Sequence, residues 1–231
     1  HDHLASQGIE YGSPDAIQFT SRFFEAMDYY TLKSSMQIAK EKGSTFQGFE
    51  LSDYASGEYI AKRLSRDRTV TDPVLKALGN VPIITDEMWK QLQEEIDRHG
   101  LYHGYRMCLA PTGSISYIRN STASIAPITE KVEIRDYADS RTIYPMPFLD
   151  ETNQHLFTEA YQMNMYRMVD MYAAAQEFID QGASMTLYVT NQWTTEQLVK
   201  LYYYSWSKGI KTVYYVRQKL QNIEECVACQ I

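Results

Sequence analysis

Residues 109–117 place three serine or threonine hydroxyl groups and a glycine where a strand is predicted to pass into a helix. Residues 105–110 are predicted to form a short buried strand, and Ser114 can open the helix. The free N–H groups and the dipole at such a helix start attract an anion such as phosphate. The run contains neither the lysine of a Walker loop nor the triple glycine of a dinucleotide fingerprint. A plain serine-capped turn therefore stays open as an alternative.

Cys226 and Cys229 form a Cys-x-x-Cys pair close to the end of the sequence. Such a pair is either half of a zinc site or a dithiol that cycles with a disulfide. Cys108 is the third and last cysteine of the sequence, so four zinc ligands are hard to assemble. The composition favours redox chemistry on a polar, acidic arm that comprises residues 218–231.

The elements that would position these groups alternate between helix and strand. Ser13 and Pro14 predict the start of a long amphipathic helix, residues 14–42, which Gly43 ends. A second helix is predicted from Thr85 to Gly100, with a buried stripe of Trp89, Leu92 and Ile96. Residues 120–147 are predicted to be irregular because they contain three prolines and a polar patch. Further on, the pattern predicts a helix over 153–180, a strand over 183–189, a helix over 194–206 and a strand over 212–217. This alternation is typical of an α/β fold that resembles part of a barrel.

Composition excludes several classes of function. The formal net charge of −7 argues against nonspecific nucleic-acid binding, which requires a basic surface. We find no run of about 18 apolar residues, so no membrane span is expected. Three cysteines in 231 residues do not form a secreted disulfide framework and indicate the cytoplasm. The sequence begins without an initiator methionine, from which we expect that it starts inside a longer chain.

Four groups of motifs occur together and cover nearly the whole sequence. They are residues 3–13 with 46–49 and 54–59; Ala110-Pro111-Thr112-Gly113-Ser114-Ile115-Ser116-Tyr117-Ile118; residues 209–217 with Tyr214 and Tyr215; and Glu225-Cys226-x-x-Cys229. In this order they resemble the C-terminal third of the large (α) subunit of class I ribonucleotide reductases, in particular class Ib. The resemblance implies that residues 1–217 are the C-terminal portion of a ten-stranded α/β barrel and that residues 218–231 are a flexible redox-active tail.

The resemblance also implies roles for individual residues. The loop of Pro111, Thr112, Gly113, Ser114 and Ile115 would bind the substrate diphosphate. Tyr214 and Tyr215 would relay a radical, and Cys226 and Cys229 would be the shuttle dithiol that restores the reduced enzyme. Without the family context, two adjacent strand tyrosines would more simply fill core on opposite faces.

The implied reaction is the reduction of ribonucleoside diphosphates to deoxyribonucleoside diphosphates for DNA synthesis. No cofactor is expected in this segment. The implied partners are the remaining N-terminal part of the large subunit, a small radical-generating subunit that holds a dimetal-tyrosyl radical, and thioredoxin or glutaredoxin.

One family motif is missing. The thiyl-radical cysteine of the family lies in an Asn-Leu-Cys-x-Glu loop, and the sequence has no such loop. Cys108 lacks those neighbours and is predicted to be a small buried core residue. The segment is therefore expected to be inactive alone, whether it is a natural split subunit or a truncated chain.

Two other functions remain open from the sequence. The first is a noncatalytic remnant or scaffold that binds the other reductase subunits. The second is a separate phosphate-binding enzyme with Ser114 as its nucleophile, although no His–Asp pair lies in obvious reach in the sequence.

Overall fold

Helices and strands alternate along residues 1–137 and 140–220, the part of the chain that the computed structural model describes. The helices are α1 (Asp2–Ser6), α2 (Pro14–Lys42), α3 (Glu58–Ala61), α4 (Asp72–Leu78), α5 (Asp86–His99), α6 (Gly113–Arg119), α7 (Met165–Gln176) and α8 (Thr195–Ser207). The strands are β1 (Val132–Tyr137), β2 (Ser140–Pro145), β3 (Met185–Thr190) and β4 (Val213–Lys219). Single 3₁₀ turns lie at Phe49–Leu51 and Gln154–Leu156. None of the helices described is long and apolar enough to cross a membrane.

The longest helix, α2, has the bounds that the sequence predicts. The Ser13 hydroxyl accepts a hydrogen bond from the Ala16 N–H at 3.2 Å, and Pro14 occupies the first helical position. Gly43 ends the helix with a φ of 61°, a left-handed conformation that glycine adopts without strain. The helix packs against α4, α5 and α7, so it joins both halves of the core.

Two main clusters of apolar side chains form that core. The larger surrounds α7 and β3 and includes Met168, Val169 and Leu187, each fully buried. The second joins α2 to α5 through Leu32 and the predicted stripe of Trp89, Leu92 and Ile96, none of which is more than 3% exposed. The stripe of α5 is therefore confirmed, as is its N-terminal cap, since the Thr85 hydroxyl accepts from the Met88 N–H.

The second half of the chain contains a parallel strand–helix–strand unit, β3–α8–β4. A capping box fixes the start of α8: the Thr194 hydroxyl accepts from the Gln197 N–H, and the Gln197 side chain accepts from the Thr194 N–H. Leu109 forms a further parallel bridge with Ala183, just before β3. The Leu109 N–H donates to the Gly182 carbonyl at 3.3 Å, and the Leu109 carbonyl accepts from the Ser184 N–H at 2.9 Å, so Leu109 pairs with the segment that leads into β3. The mixed α/β architecture is confirmed.

Residues 120–147 are not wholly irregular, and this prediction is corrected. β1 and β2 form an antiparallel hairpin in which Val132 pairs with Pro145 and Ile134 pairs with Ile143. The β-branched residues favour strand there. Pro145 is compatible with it because it occupies the last position of β2.

The predicted helix over 153–180 is shorter, because α7 begins only at Met165. The Asn164 side chain caps it by accepting from the Tyr166 N–H at 2.9 Å. Further upstream, the Ala160 N–H donates to the Ile128 carbonyl at 2.7 Å, which takes it out of any helical pattern. Apolar periodicity did not reveal this boundary because Phe157 and Ala160 are fully buried without being helical.

The predicted buried strand over 105–110 is also corrected. Only Leu109 pairs as in a strand, and Tyr105 is 72% exposed. Cys108, predicted to lie in the core, is exposed. Met107 and Leu109 pack on the larger cluster, and the period of two in extended chain turns Cys108 to the other face.

β4 continues two residues beyond the predicted end at Arg217. Gln218 pairs with Val189 and Lys219 pairs with Thr190, so the strand enters the predicted tail. Cys226 and Cys229 lie outside the described residues.

A buried carboxylate on α2, that of Asp28, binds two guanidinium groups. Its oxygens lie 2.9 Å from Arg63 Nε and 2.9 Å from Arg106 Nη1, and the Tyr59 hydroxyl donates to it at 2.8 Å. The Asp28 side chain is fully buried, and those of Arg63 and Arg106 are 6% and 3% exposed. Burial raises the pKa of the Tyr59 phenol, and the charge of Asp28 raises it further, so the phenol stays a donor.

We expect Asp28→Asn to destabilise the protein by about 3–5 kcal/mol, because it leaves the buried Arg63 guanidinium without a counter-charge and leaves Arg106 with Asp180 alone. Urea unfolding of the purified chain measures the change. Asp53→Asn is the matched control, since Asp53 pairs with Lys62 on the surface, where both side chains are more than half exposed. That pair should contribute less than about 1 kcal/mol. Equal effects of the two variants would contradict the assignment.

Candidate active site

The hydroxyl-rich loop lies between the Leu109 bridge and α6. The α6 helix begins at Gly113, and the loop is exposed except for Thr112, which is half-buried. Thr112 has a φ of −42° and a ψ of 46°, and its hydroxyl accepts from the Ser124 N–H at 2.8 Å. The helix predicted at this loop is therefore present and begins one residue before Ser114, but the strand predicted to precede it is reduced to the Leu109 bridge.

Some donors of this loop are already used. The Gly113 N–H donates to the Pro111 carbonyl, and the Ser116 hydroxyl donates to the Gly113 carbonyl at 2.6 Å. The N–H groups of Ser114 and Ile115 have no hydrogen-bond partner within the described part of the chain. An anion would thus meet two free backbone donors, those of Ser114 and Ile115.

A cavity of about 260 Å³ opens beside α6, between the β1–β2 hairpin and the ends of β3 and β4. Gly113 and Ser116 line one side, and Tyr188 and Arg217 line another. Burial raises the pKa of the Tyr188 phenol, and Arg217, which hydrogen-bonds to it, opposes that rise. Arg217 thus brings a positive charge to the cavity that also contains Gly113. Sequence reasoning did not identify Tyr188 or Arg217 as site residues, since no motif assigned a role to either position.

Tyr214 and Tyr215 lie on β4 with their rings in contact. The ring centroids are 4.0 Å apart and the ring planes are inclined by 50°. The two rings are about half exposed, at 49% and 56%. The hydrogen bond to Tyr215 raises the pKa of the Tyr214 phenol. The simpler alternative, two core side chains on opposite faces of a regular strand, is wrong.

The contact requires a distorted strand, and β4 is distorted at this point. Val213 pairs with Met185, but Tyr215 pairs with Thr186, so Tyr214 is an extra residue without a partner in the register. Such a β-bulge changes the direction of neighbouring side chains.

The segment that leads into β3 connects the loop to the strand of the tyrosines. Leu109, just before the loop, is opposite Ala183, and Thr186 of β3 is opposite Tyr215. Gly113 of the loop and Arg217, two residues after Tyr215 on β4, line the same cavity. The structure thus brings together two motifs that are about a hundred residues apart in sequence.

Other candidate groups are less informative. No cluster of three or more His, Cys, Asp or Glu side chains suited to a metal ion occurs within residues 1–137 and 140–220. No hydrogen bond between Ser114 and a histidine is present in the same region, so nothing there activates Ser114 as a nucleophile.

Comparison with known proteins identifies relatives of this chain. The chain is 44% identical over 232 aligned positions to the ribonucleoside-diphosphate reductase subunit alpha of Bacillus subtilis, covering all of this chain and 33% of that protein. It is 35% identical to the corresponding subunit of Mycoplasma pneumoniae, over all of this chain and 34% of that protein. It is 32% identical to the ribonucleoside-diphosphate reductase subunit alpha of Treponema pallidum, over 99% of this chain and 25% of that protein.

The chain spans about a third of the length of the first of these curated relatives. Its residues 1–216 match the family described as "Ribonucleotide reductase, barrel domain", which is nearly the whole chain. The chain belongs to the ribonucleotide reductase family, and residues 1–216 are part of its barrel domain.

Proposed function

We propose that the chain is the C-terminal catalytic portion of a ribonucleoside-diphosphate reductase large subunit. It supplies the substrate-phosphate loop, the last radical relay and the reducing dithiol. The observation that carries this proposal is the shared cavity, which Gly113 of the hydroxyl-rich loop lines together with Arg217, two residues after Tyr215 on β4. A radical relay has to end close to the bound substrate, and a loop and a tyrosine-bearing strand that border one cavity support this arrangement.

In the proposed reaction the 2′-hydroxyl of a ribonucleoside diphosphate leaves as water and hydrogen takes its place. The two electrons come from a dithiol, which becomes a disulfide. The loop of Pro111 to Ile115 binds the diphosphate through the free N–H groups of Ser114 and Ile115, and Arg217 contributes positive charge nearby. Tyr214 and Tyr215 pass the radical, because a neutral phenol can lose an electron and a proton together.

The remaining parts come from partners. The thiyl-radical cysteine has to come from the rest of the large subunit, since this sequence has no Asn-x-Cys-x-Glu motif. The radical comes from a small subunit that holds a dimetal-tyrosyl radical. The barrel portion extends through β4 to Lys219, and the residues that follow, with Cys226 and Cys229, are the tail that thioredoxin or glutaredoxin reduces in the cytoplasm.

A chimera tests the proposal. This chain replaces the aligned third of the B. subtilis alpha subunit, and the chimera is assayed with the radical-generating subunit of the same organism for reduction of each ribonucleoside diphosphate. We expect deoxyribonucleoside diphosphate to form. A folded chimera that binds its partner subunits and substrate but forms no product would instead support the noncatalytic scaffold.

Gly113→Ala tests the loop. A Cβ added at Gly113 meets no atom within 4 Å, so folding should not change. A bound diphosphate would meet the added methyl group, and we expect its affinity for the chimera to fall about tenfold or more, or about 1.4 kcal/mol. Equilibrium binding of a nucleoside diphosphate measures this. Ile118→Ala, on the exposed side of the same helix, is the control and should bind normally. Unchanged affinity in Gly113→Ala would remove the loop from the site.

Tyr215→Phe tests the relay. Phenylalanine keeps the ring volume but has no phenolic proton, so nucleotide reduction by the chimera should be abolished while substrate affinity stays the same. Tyr105→Phe is the control because its ring is 72% exposed and lies outside the parallel strands. Full activity of Tyr215→Phe would refute the relay.

Replacing Cys226 and Cys229 together with serine tests the tail. The thermal midpoint should not change, since a bridge closing so short a loop would constrain little of the unfolded chain. With thioredoxin or glutaredoxin as the reductant, the chimera should give about one turnover's burst of product and stop, because the active-site disulfide is no longer reduced. A small dithiol that enters the site should restore turnover. Normal cycling with the protein reductant would show that this pair is not the shuttle.

A further inference from the structure

The contact between Tyr214 and Tyr215 depends on where the bulge falls in β4. Adjacent side chains of a regular strand point to opposite faces. Here Tyr214 is left over between the Met185–Val213 and Thr186–Tyr215 pairs, and the two rings come within 4.0 Å. A shift of the bulge by one residue would separate the rings. Something in the structure therefore has to fix its place.

The residues just before the bulge are held by their side chains. The Lys211 ammonium donates to the carbonyls of Ile179 and Asp180, at 3.3 and 2.6 Å. The Thr212 hydroxyl donates to the Ala183 carbonyl at 3.3 Å. These bonds attach the start of β4 to the segment that leads into β3. After the bulge, backbone pairing takes over, from Tyr215 to Lys219.

β3 is shortened between these two attachments. The Met185 N–H donates to the Ala183 carbonyl at 2.8 Å, so Ser184 lies in a tight turn. Between the Thr212–Ala183 contact and the Thr186–Tyr215 pair, each strand has two residues. The turn takes Ser184 out of the extended strand, so only one residue on that side is left to pair. One residue of β4 therefore also has to stay unpaired. Val213 stays opposite Met185 and packs on the core, which leaves Tyr214.

We propose that Lys211, assisted by Thr212, is a positioning residue that forces the bulge onto Tyr214 and so brings the two tyrosine rings together. The importance of Lys211 for catalysis rests on the proposed radical relay, whereas its effect on the ring contact does not depend on that proposal. Without the bonds of Lys211 and Thr212, β4 can shift its register along the shortened β3, and no residue of β4 has to stay unpaired. Tyr214 and Tyr215 would then take opposite faces, and the relay would lose its ring contact.

The test measures the ring contact directly in the full 231-residue chain. Tyrosine ring protons are observed by NMR, and Tyr214→Phe and Tyr215→Phe assign the ring-to-ring Overhauser cross-peak. Lys211→Met keeps the apolar stem but removes the donor, and the cross-peak should disappear. Lys211→Arg still reaches the carbonyls and should retain it. Lys219→Met is the matched control, since Lys219 lies on the same strand after the bulge and contacts Glu130 at 4.0 Å; it should also retain the cross-peak.

Retention of the cross-peak in Lys211→Met would overturn the proposal, since core packing of Val213 would then explain the position of the bulge. Equal loss of the cross-peak in Lys219→Met would also overturn it, since general loosening of β4 would then explain the loss. If Lys211→Met does not fold, Thr212→Val and Thr212→Ser make the same comparison, with loss expected only in the valine variant.

A second readout separates this proposal from the proposed function. In the chimera, Lys211→Met should slow nucleotide reduction and leave diphosphate affinity unchanged, whereas Lys219→Met should do neither. Should the unmutated chimera form no product at all, the proposed function fails, while the cross-peak still decides the role of Lys211.

Discussion

The fold depends on one buried guanidinium group, that of Arg106, which joins the helical half of the chain to the parallel strands. Its Nη1 lies 2.9 Å from Asp28 on α2, and its Nε lies 3.4 Å from Asp180, which precedes β3. The Asp180 carboxylate also accepts the backbone N–H groups of Arg106 and Met107, at 2.8 and 2.9 Å. A charge with so little exposure is tolerated because carboxylates and hydroxyls surround it.

The ion pairs of Arg106 with Asp28 and Asp180 position the segments that form the candidate site. Arg106 and Met107 begin the extended segment that ends in the phosphate-type loop, and Asp180 lies just ahead of β3. Lys211 binds the Asp180 carbonyl from the start of β4. All three parallel segments are thus attached near the same residue at one end. The segment from Arg106 leads into the loop, and the start of β4 carries the tyrosine pair, so both are positioned from this one attachment.

Tyrosine is unusually frequent in this chain, with 19 residues, and the structure shows how the interior uses several of them. The hydroxyls of Tyr54 and Tyr59 each lie 3.1 Å from Arg106 Nη2. Tyr11 donates to the Ile125 carbonyl at 2.7 Å. A phenol fills core volume and still offers a hydrogen bond, so it suits an interior that also contains charged side chains. The tyrosine pair on β4 differs from these, because its rings are half exposed and bind each other.

The sequence by itself determined the local features whose cause is local. The caps of α2, α5 and α8 follow from Ser13, Thr85 and Thr194, since a cap depends only on neighbouring backbone groups. The buried stripe of α5 follows from helical periodicity. The motifs also identified the reductase family, because their residues stand in the family's order. The sequence did not show where α7 begins or that residues 132–137 and 140–145 pair as strands, since contacts outside each segment decide both.

Only the tertiary structure decided how the candidate site is assembled. Strand register cannot be read from composition, because a one-residue slip preserves every local preference and still reverses the faces. The bulge at Tyr214 comes from a turn at Ser184, thirty positions earlier. The same holds for the partners of Asp28, which are 35 and 78 residues away. An aspartate in the middle of an amphipathic helix is indistinguishable in sequence from a surface residue until the guanidinium groups that neutralise it are in place.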